Sequence, residues 1–445
     1  MSLLRYSIVL ILISLLMSCK SEKNDDKPNI ILIMADDMGY ECLSCYGSTS
    51  YKTPVLDKLA SEGIQFNQCI SQPLCTPSRV KIMTGMYNYR NYDYFGHLNN
   101  DSYTFGNLLK DAGYATCIVG KWQLNGLAYK DEIPYWSDNN RPVDFGFDEY
   151  ALWQLTRGRN EGERFSDPLI EQNGKILDTN IDDYGPDIFT DYLLDFIERN
   201  QEVPFFVYFP MVLVHEPFVP TPDSEDWADP DLRYKNDTSY FRDMVSYTDK
   251  IVGRIVNKLE LLDIDENTLI IFTGDNGTHP TVYSNTVRGI VQGAKGNTID
   301  AGVHVPLIAY WPEKIKEGFE FNGLIEFSDF FPTLADIVKI KRETDGKSFY
   351  PLLTGASYNS RETVFVHYDP RWGKRVNQYM NQFVQTNEYN LYQDGKFYNI
   401  SEDILEKSPL NPDSLDEEQN KTWLLLSEEL KKHPGMSESG GESIE

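Results

Sequence analysis

The sequence predicts an α/β fold: a large domain whose central, mostly parallel sheet lies between helices, followed by a small α+β domain with an antiparallel sheet. Two observations predict this arrangement. From residue 29 onward, short apolar runs typical of buried strands alternate with longer helical patterns, as in parallel sheets covered on both faces. Beyond about residue 345 the pattern changes to short strand-like segments separated by turns.

The strands expected in the large domain are rich in Val, Ile, Phe and Tyr, which suit a buried pleated sheet. They are residues 29–35 (NIILIMA), 116–120 (TCIVG), 205–214 (FFVYFPMVLV, interrupted by Pro210) and 268–274 (TLIIFTG). Apolar residues recur at spacings of three and four over residues 240–262, which predicts a long amphipathic helix there.

In the C-terminal part, the segments ETVFVHY, NQFVQT, YNLYQDG and KFYNIS predict short antiparallel strands. A final helix is expected within EEQNKTWLLLSEELKKHPG, closed by lysines and Gly435. The predicted domains are therefore a large α/β domain over residues 29–344 and a C-terminal subdomain over residues 345–433. Residues 434–445 are expected to form a disordered tail.

Residues 1–18 have the composition of a targeting segment. An early Arg5 precedes an apolar run over residues 6–17 that is too short to span a bilayer, which is typical of a signal peptide. The run ends in LLMSC, which resembles a bacterial lipoprotein signal with Cys19 as the lipidated first residue; an ordinary secretory signal cut nearby is the alternative. Residues 19–28 would be a polar tether. We therefore expect an exported, lipid-anchored protein that faces the periplasm or the cell surface.

The chain has 445 residues, with 41 Lys and Arg against 68 Asp and Glu, and a formal charge of -27. Such a field repels the phosphate backbone, so a nucleic-acid partner is not expected. Any anionic substrate would need a local cluster of positive charge. Of the 6 cysteines, those other than Cys19 are odd in number, so at least one thiol lacks an internal partner. Whether Cys42 and Cys45 pair with each other stays open.

Ionisable or chelating residues follow each of the four predicted strands. Because the carboxyl ends of parallel strands meet at one edge of the sheet, we expect these side chains to lie close together. The oxygen ligands among them suit a hard cation, and calcium more than magnesium, whereas capping or turn formation is the alternative for either pair alone. The residues are Asp36, Asp37, Lys121, Gln123, His215, Asp275 and Asn276.

Cys75 lies in the segment SQPLCTPSRVKIMTGMY. Thr76 is predicted to cap a helix whose first residue is Pro77. Cys75 would then lie at the positive end of the helix dipole, a position that suits an anionic reaction centre. A buried core cysteine is the alternative.

The segment CTPSRVKIMTG resembles the Cys-x-Pro-Ser-Arg…Thr-Gly signature of the formylglycine-dependent sulfatases, within the alkaline phosphatase-like superfamily. Further segments resemble that family's other motifs in the same order, from about residue 28 to residue 403. They are NIILIMADDMGY, GYATCIVGKWQL, VHEPF, TGDNG, GAKGNTIDAGVHVPLI and DGKFYNISED.

The resemblance implies that a formylglycine-generating or anaerobic sulfatase-maturating enzyme oxidises Cys75 to 3-oxoalanine, whose hydrate attacks sulfur. It implies one Ca²⁺ held by Asp36, Asp37, the modified Cys75, Asp275 and Asn276. It also implies that Arg79, Lys121 and Lys295 hold the sulfate, and that His215 protonates the leaving oxygen. The expected activity is hydrolysis of sulfate esters on a carbohydrate, as in bacterial polysaccharide-type sulfatases.

Gln123 departs from this pattern, because the family usually has histidine there. An amide is not a useful base near neutral pH, so sulfate release would be slowed or served by His279 or His304. A non-catalytic glycan-binding lipoprotein is one alternative, and a phosphonate or phosphodiester hydrolase of the same superfamily is another. His97 and His433 are expected to have no role.

Substrate-binding candidates come from two segments, YNYRNY and VHYDPRWGKR. Both contain groups that contact sulfated sugars, although a solvated basic loop is the alternative. The candidates are Arg90, His367, Arg371 and Trp372.

Overall fold

The computed structural model describes residues 27–371 and 380–436. The predicted signal peptide, Cys19, most of the tether, Trp372 and the tail after residue 436 lie outside these ranges. Within the described ranges, none of the helices combines the length and the apolar character needed to cross a membrane.

The strands are numbered in chain order. They are β1 (Asn29–Ala35), β2 (Ile64–Ile70), β3 (Ala115–Lys121), β4 (Glu149–Trp153), β5 (Glu171–Gln172), β6 (Lys175–Ile176), β7 (Phe205–Pro210), β8 (Thr268–Gly274), β9 (Tyr283–Thr286), β10 (Gly289–Gln292), β11 (His304–Tyr310), β12 (Phe319–Phe321), β13 (Ile325–Glu326), β14 (Val364–Tyr368), β15 (Asn381–Gln385), β16 (Tyr389–Tyr392) and β17 (Phe397–Asn399).

The helices are numbered in the same way. They are α1 (Pro54–Glu62), α2 (Cys75–Thr84), α3 (Phe105–Asp111), α4 (Arg141–Asp144), α5 (Gly185–Arg199), α6 (Phe241–Leu261), α7 (Asp300–Val303), α8 (Phe330–Ile337), α9 (Tyr350–Leu353) and α10 (Glu417–Leu430).

The main sheet has the strand order β12-β2-β11-β8-β1-β7-β3-β4-β5-β6, with β13 also paired to β2. The four strands predicted from sequence are its adjacent central members. β1 pairs in parallel with β8 on one side and β7 on the other, and β7 pairs in parallel with β3. The carboxyl ends of all four strands therefore meet at one edge, which confirms the predicted α/β architecture.

Two details differ from the prediction. β7 ends at Pro210 rather than at residue 214, because the chain then turns toward the end of β1, where Val214 N donates to Asp36 O at 2.7 Å. β11 runs antiparallel to both β8 and β2, so the sheet is mixed at that side.

Both faces of the sheet are covered, as the continuous apolar strands require. Ile31 and Ile33 of β1 pack on the face covered by α5 and α6, whereas Ile30 and Leu32 pack on the face covered by α2, α3 and α8. The alternation follows from the two-residue period of a strand.

The C-terminal sheet has the antiparallel order β14-β15-β16-β17, and Leu426 of α10 packs against it. Lys81 joins this sheet to α2: its Nζ lies 2.6 Å from Glu326 Oε2 and donates to Phe365 O at 3.2 Å. The small α+β unit predicted from sequence is thus anchored to the helix that begins at Cys75.

Candidate active site

The ends of β1 and β8 bring two pairs of oxygen-bearing side chains together. Asp37 N donates to Asp275 Oδ1 at 2.9 Å, and Asn276 Nδ2 donates to Asp37 Oδ1 at 2.9 Å. Asp37 has a φ of 60°, a left-handed conformation that turns the chain sharply after the strand. Gly274 allows the backbone of Met38 to pass close to the end of β8, because a Cβ at position 274 would lie 2.0 Å from Met38 O.

Cys75 is the first residue of α2 and is 3% exposed. The helix therefore begins two residues earlier than predicted, with Leu74 rather than Thr76 at the capping position. The Thr76 hydroxyl is instead used elsewhere: Oγ1 accepts from Gly96 N at 3.2 Å. The predicted placement of Cys75 at the positive end of a helix is retained.

Three buried or nearly buried cations surround this edge. Lys121 Nζ lies 2.7 Å from Asp36 Oδ2, and Lys295 Nζ lies 2.6 Å from Asp37 Oδ2. Arg79, one turn after Cys75, donates from Nη1 to Lys121 O at 2.8 Å. The local positive cluster that an acidic protein needs to bind an anion is therefore present.

His215 sits beside Lys295 at this cluster. Lys295 Nζ lies 2.9 Å from His215 Nε2, while His215 Nδ1 lies 2.6 Å from Glu216 O. Nδ1 therefore carries the hydrogen and donates to the carbonyl, leaving Nε2 to accept from Lys295. Burial lowers the pKa of His215 well below its ordinary value, and the charge of Lys295 lowers it further.

The proton of this pair therefore resides on Lys295. Burial alone would lower the pKa of Lys295, but Asp37 and Cys75 raise it above its ordinary value. The carboxylates differ from one another. Burial, followed by repulsion from Asp36, raises the pKa of Asp275. For Asp36, burial is the largest effect and raises the pKa, but the surrounding positive groups, Lys121 foremost, together outweigh it and hold the pKa well below its usual range.

The same edge fits a divalent cation. Ligand atoms of Asp36, Cys75 and Asp275 lie within 4.8 Å of one another. Asp275 Oδ2 and Asn276 Oδ1 are buried and have no hydrogen-bond partner among the described residues, an arrangement that is costly unless another group satisfies them. Carboxylate and amide oxygens of this kind are the ligands of a hard cation such as Ca²⁺.

Gln123 contacts Cys75 directly: the Cys75 Sγ lies 3.5 Å from Gln123 Oε1. The two histidines that could replace the missing base, His279 and His304, contact other residues. His304 lies 3.2 Å from Asp300 and stacks on Tyr40, and His279 Nδ1 lies 2.8 Å from Thr281 Oγ1. Neither histidine makes a contact with Cys75 among the interactions of the described residues.

His97 and His433, for which no role was expected, are both in packed surroundings. His97 Nε2 lies 3.1 Å from the hydroxyl of Tyr135. Burial, followed by the charge of Arg141, lowers the pKa of His97 to about 4. His433 stacks on Phe365 with the ring centres 3.6 Å apart.

The predicted substrate-binding residues are dispersed. Arg90 forms an ion pair with Asp345 at 2.6 Å, and the ring of His367 packs against Tyr89. Arg371 pairs with Asp369 at 2.9 Å. Among the contacts of the described residues, none joins Arg90, His367 or Arg371 to Cys75.

The loop of Arg371 nevertheless approaches the site through Tyr92. The Tyr92 hydroxyl donates to Pro370 O at 2.8 Å. Burial raises the pKa of Tyr92, and the next largest contribution comes from Cys75. Tyr92 is therefore close to both the cysteine and the residue 369–371 loop.

The structure shows one further buried cation that was not predicted from sequence. This is Arg164, which lies in the loop after β4. Its guanidinium carbon lies 4.1 Å from the ring centre of Trp153, the last residue of that strand. Sequence analysis missed Arg164 because it missed β4. The apolar run YALW at residues 150–153 was the available signal.

Each cysteine within the described ranges is a free thiol, so Cys42 and Cys45 are not paired with each other. Cys42 Sγ instead lies 3.3 Å from Thr278 Oγ1, and burial raises its pKa well above the ordinary value. Such a thiol is poorly reactive.

Comparison with known proteins places this site in a family. The family model described as Sulfatase matches residues 28–340, and the model described as N-sulphoglucosamine sulphohydrolase, C-terminal, matches residues 295–432. The chain is 29% identical over 431 aligned positions to N-acetylgalactosamine-6-O-sulfatase of Bacteroides thetaiotaomicron, covering 79% of this chain and 82% of that protein.

Solved structures agree with this relationship. The crystal structure of Ps i-CgsB superimposes with a TM-score of 0.74 at 26% identity, covering 91% of this chain and 92% of that one. The structure of BT4656 in complex with its substrate D-glucosamine-2-N,6-O-disulfate has a TM-score of 0.70 at 23% identity, covering 91% and 98%, and shares the fold. The Sulfatase model spans most of the large domain and its strand-end residues, so this chain belongs to the sulfatase family, the enzymes that hydrolyse sulfate esters.

Proposed function

We propose that this sulfatase removes sulfate from a sulfated carbohydrate, through a formylglycine made from Cys75. The observation that supports this most strongly is the convergence at Cys75. Its thiol lies at a helix N-terminus, next to a buried acidic cluster and three cations from separate elements. A maturating enzyme would convert the thiol to the aldehyde, whose hydrate carries the attacking hydroxyl.

The cations have a defined task in this scheme. A sulfate ester in front of residue 75 would place its oxygens near Arg79, Lys121 and Lys295, which offset the charge that grows in the transition state. A Ca²⁺ ion held by Asp36, Asp37, Asp275 and Asn276 would lower the pKa of the attacking hydroxyl.

Attack forms an oxygen–sulfur bond at residue 75 and breaks the bond between sulfur and the sugar oxygen. The leaving oxygen needs a proton. Lys295 and His215 share one proton over the 2.9 Å between Nζ and Nε2, and we infer that this pair supplies it.

The second hydroxyl of residue 75 then gives its proton to solvent water, and the bond between its carbon and the sulfated oxygen breaks. Sulfate leaves with that oxygen, and the aldehyde is restored. Gln123 lies where a base would be required, and its amide accepts a hydrogen bond without taking the proton. Release of sulfate is therefore the step that we infer to be slow.

We also propose that the protein is exported and held at a membrane by a lipid on Cys19, facing the periplasm or the cell surface. The support is the apolar run followed by LLMSC at the N-terminus. An enzyme in that position would meet polysaccharide fragments outside the cytoplasm.

The test combines maturation and activity. The chain is expressed with a formylglycine-generating enzyme, and the intact mass of the peptide containing Cys75 is measured. Sulfate release is then followed on a panel of sulfated sugars and on 4-nitrophenyl sulfate, with Cys75→Ala as the matched variant. We expect the aldehyde to form in the wild type, and sulfate release to depend on Cys75.

Two outcomes would overturn the proposal. If Cys75 stays a thiol and the sugars bind without turnover, the protein is a glycan-binding lipoprotein, an alternative that Gln123 favours. If the matured enzyme cleaves 4-nitrophenyl phosphate or phosphonate esters faster than the matched sulfate, its main activity lies on phosphorus.

A further inference from the structure

Arg164 is a buried cation for which the described residues provide no carboxylate partner. The residue is 5% exposed, and no Asp or Glu in ranges 27–371 and 380–436 forms an ion pair with it. Its Nη1 is fully buried without a hydrogen-bond partner. Burying an unpaired charge is costly, on the order of several kcal/mol, so such a group requires a partner from outside the described chain.

The side chain is positioned by an aromatic contact. Its guanidinium carbon lies 4.1 Å from the ring centre of Trp153, a cation–π contact. Trp153 in turn donates from Nε1 to Gly162 O at 3.4 Å, and the following turn is fixed by Gly185 N donating to Phe165 O at 2.8 Å. A guanidinium held in such a contact presents its N–H groups as a fork of donors for a planar or tetrahedral oxyanion.

The guanidinium lies beside the same edge of the sheet as the reaction centre, because it contacts Trp153, the last residue of β4. Trp153 is directly opposite Lys121 in the parallel register of β3 and β4. Although burial lowers the pKa of Arg164, the carboxylates that most oppose this effect are Asp36 and Asp37. The charge of Arg164 also acts on His215, so it belongs to the same electrostatic field.

Neutralisation of the acidic cluster does not account for Arg164. The three carboxylates Asp36, Asp37 and Asp275 are already matched by Lys121, Lys295 and Arg79, with contacts of 2.7, 2.6 and 3.7 Å. A divalent cation would add two more positive charges. The positive charge of Arg164 therefore exceeds what the protein's own carboxylates require.

We propose that Arg164 is a substrate-binding residue that takes a second anionic group, a sulfate or a uronate carboxylate, on the sugar whose sulfate ester is cleaved at residue 75. This inference rests on the proposed function and specifies its substrate: a carbohydrate with at least two anionic groups. Arg164 selects that substrate by pairing with the group that is not cleaved.

Two pairs of sugars separate the two kinds of anionic group. D-Glucosamine 6-sulfate and D-glucosamine-2-N,6-O-disulfate differ by one sulfate. The disaccharide of an unsaturated uronate with N-acetylgalactosamine 6-sulfate and its carboxyl-reduced form differ by one carboxylate. Each is measured as an inhibitor of 4-nitrophenyl sulfate hydrolysis by the matured wild type and by Arg164→Gln, Arg164→Lys and Arg159→Gln. Arg159 is the matched control, because it is an exposed arginine of the same loop.

We expect the wild type to bind the doubly anionic member of at least one pair about tenfold more tightly, as a charged hydrogen-bonded contact implies. Arg164→Gln should reduce that ratio to about one, Arg164→Lys should keep part of it, and Arg159→Gln should keep all of it. The pair that responds identifies the second group as sulfate or carboxylate.

The proposal is overturned if Arg164→Gln keeps the wild-type ratio for both pairs, or if the wild type shows no preference within either pair. It is also overturned if the variant slows 4-nitrophenyl sulfate as much as it weakens the doubly anionic sugar, since Arg164 would then act on the cleaved group. If Arg164→Gln does not fold, the same binding ratio is measured for Arg164→Lys. A ratio equal to that of the wild type for both pairs then overturns the proposal.

If the proposed function fails, a binding measurement still tests the role of Arg164. If the matured protein cleaves no sulfate ester, the same four sugars are titrated by thermal shift. The extra stabilisation by the doubly anionic member must then disappear in Arg164→Gln, and its persistence overturns the inference.

Discussion

Gln123 Oε1 lies 3.5 Å from Cys75 Sγ, so an amide occupies the position next to the reacting side chain. Gln123 has a φ of 52°, a left-handed conformation, and its N–H donates to Gln154 O at 3.1 Å. The backbone therefore directs this side chain at residue 75. A histidine could adopt the same place, because its length is similar and polar residues tolerate this conformation.

Replacing Gln123 with histidine should speed the release of sulfate. A positioned general base contributes roughly 10²–10⁴-fold in favourable cases, and we expect at least about a tenfold rise in kcat for the matured enzyme. The measurement is steady-state and burst-phase hydrolysis of 4-nitrophenyl sulfate. The wild type should show a burst that the Gln123→His variant loses. Gln123→Ala is the control, and a rise in kcat there would show that the amide obstructs the site rather than lacking basicity.

Removing the charge of Lys295 should raise the pKa of His215. Burial is the largest cause of its depression and Lys295 is the next, so Lys295→Met should move the pKa of His215 upward toward its ordinary value. Burial still lowers the pKa of His215 in the variant, so the imidazole should become protonated at a higher pH than in the wild type but below its ordinary range. NMR titration of labelled histidine measures this directly. An unchanged His215 titration would contradict the coupling across the 2.9 Å contact.

Calcium should stabilise the folded protein through the buried oxygens of the acidic cluster. Since Asp275 Oδ2 and Asn276 Oδ1 have no hydrogen-bond partner among the described residues, a cation that binds them should raise Tm. The stabilisation is about 2.7 kcal/mol at a concentration 100 times Kd. Thermal melting with excess chelator and then with added Ca²⁺ measures the effect. Asp275→Asn should remove the calcium-dependent rise. Exposed Glu260→Gln should keep it, and equal rises in both variants would place the ion elsewhere.

The stability of the protein should depend on pH through Asp249 of α6. This carboxylate accepts from Val55 N at 3.1 Å and Leu56 N at 2.9 Å, at the start of α1. Burial raises its pKa to about 6, outweighing these hydrogen bonds. The folded state therefore holds a proton more tightly than the unfolded state. This contribution to the free energy of unfolding is complete at a pH below about 4 and is lost as the pH rises through about 6.

Asp249→Asn removes this titration while keeping a polar side chain. The difference in the free energy of unfolding between pH 5 and pH 7, measured by urea denaturation, should be smaller in the variant than in the wild type. Glu260→Gln on the exposed side of the same helix is the control. Equal pH dependence in the wild type and in Asp249→Asn would mean that Asp249 ionises normally.

Much of the site was predictable from sequence for a topological reason. β1, β3, β7 and β8 are parallel neighbours, so residues at or soon after their carboxyl ends, such as Asp36, Lys121 and His215, meet at one edge. Long apolar runs make such strands visible, because both of their faces are buried. The Cys75 segment was visible through its motif alone.

The sequence by itself therefore determined the α/β class, the central strands and the residues at their ends. Buried strands are visible as local apolar runs, and the rule that parallel strands place their carboxyl ends at one edge does not require the strand order. Only the tertiary structure decided that α2 begins at Cys75 and that β11 is antiparallel. It also decided that Arg90 pairs with Asp345 and that Arg164 stacks on Trp153. These features depend on how loops return across the sheet and which side chains they meet, and packing over long sequence separations sets both.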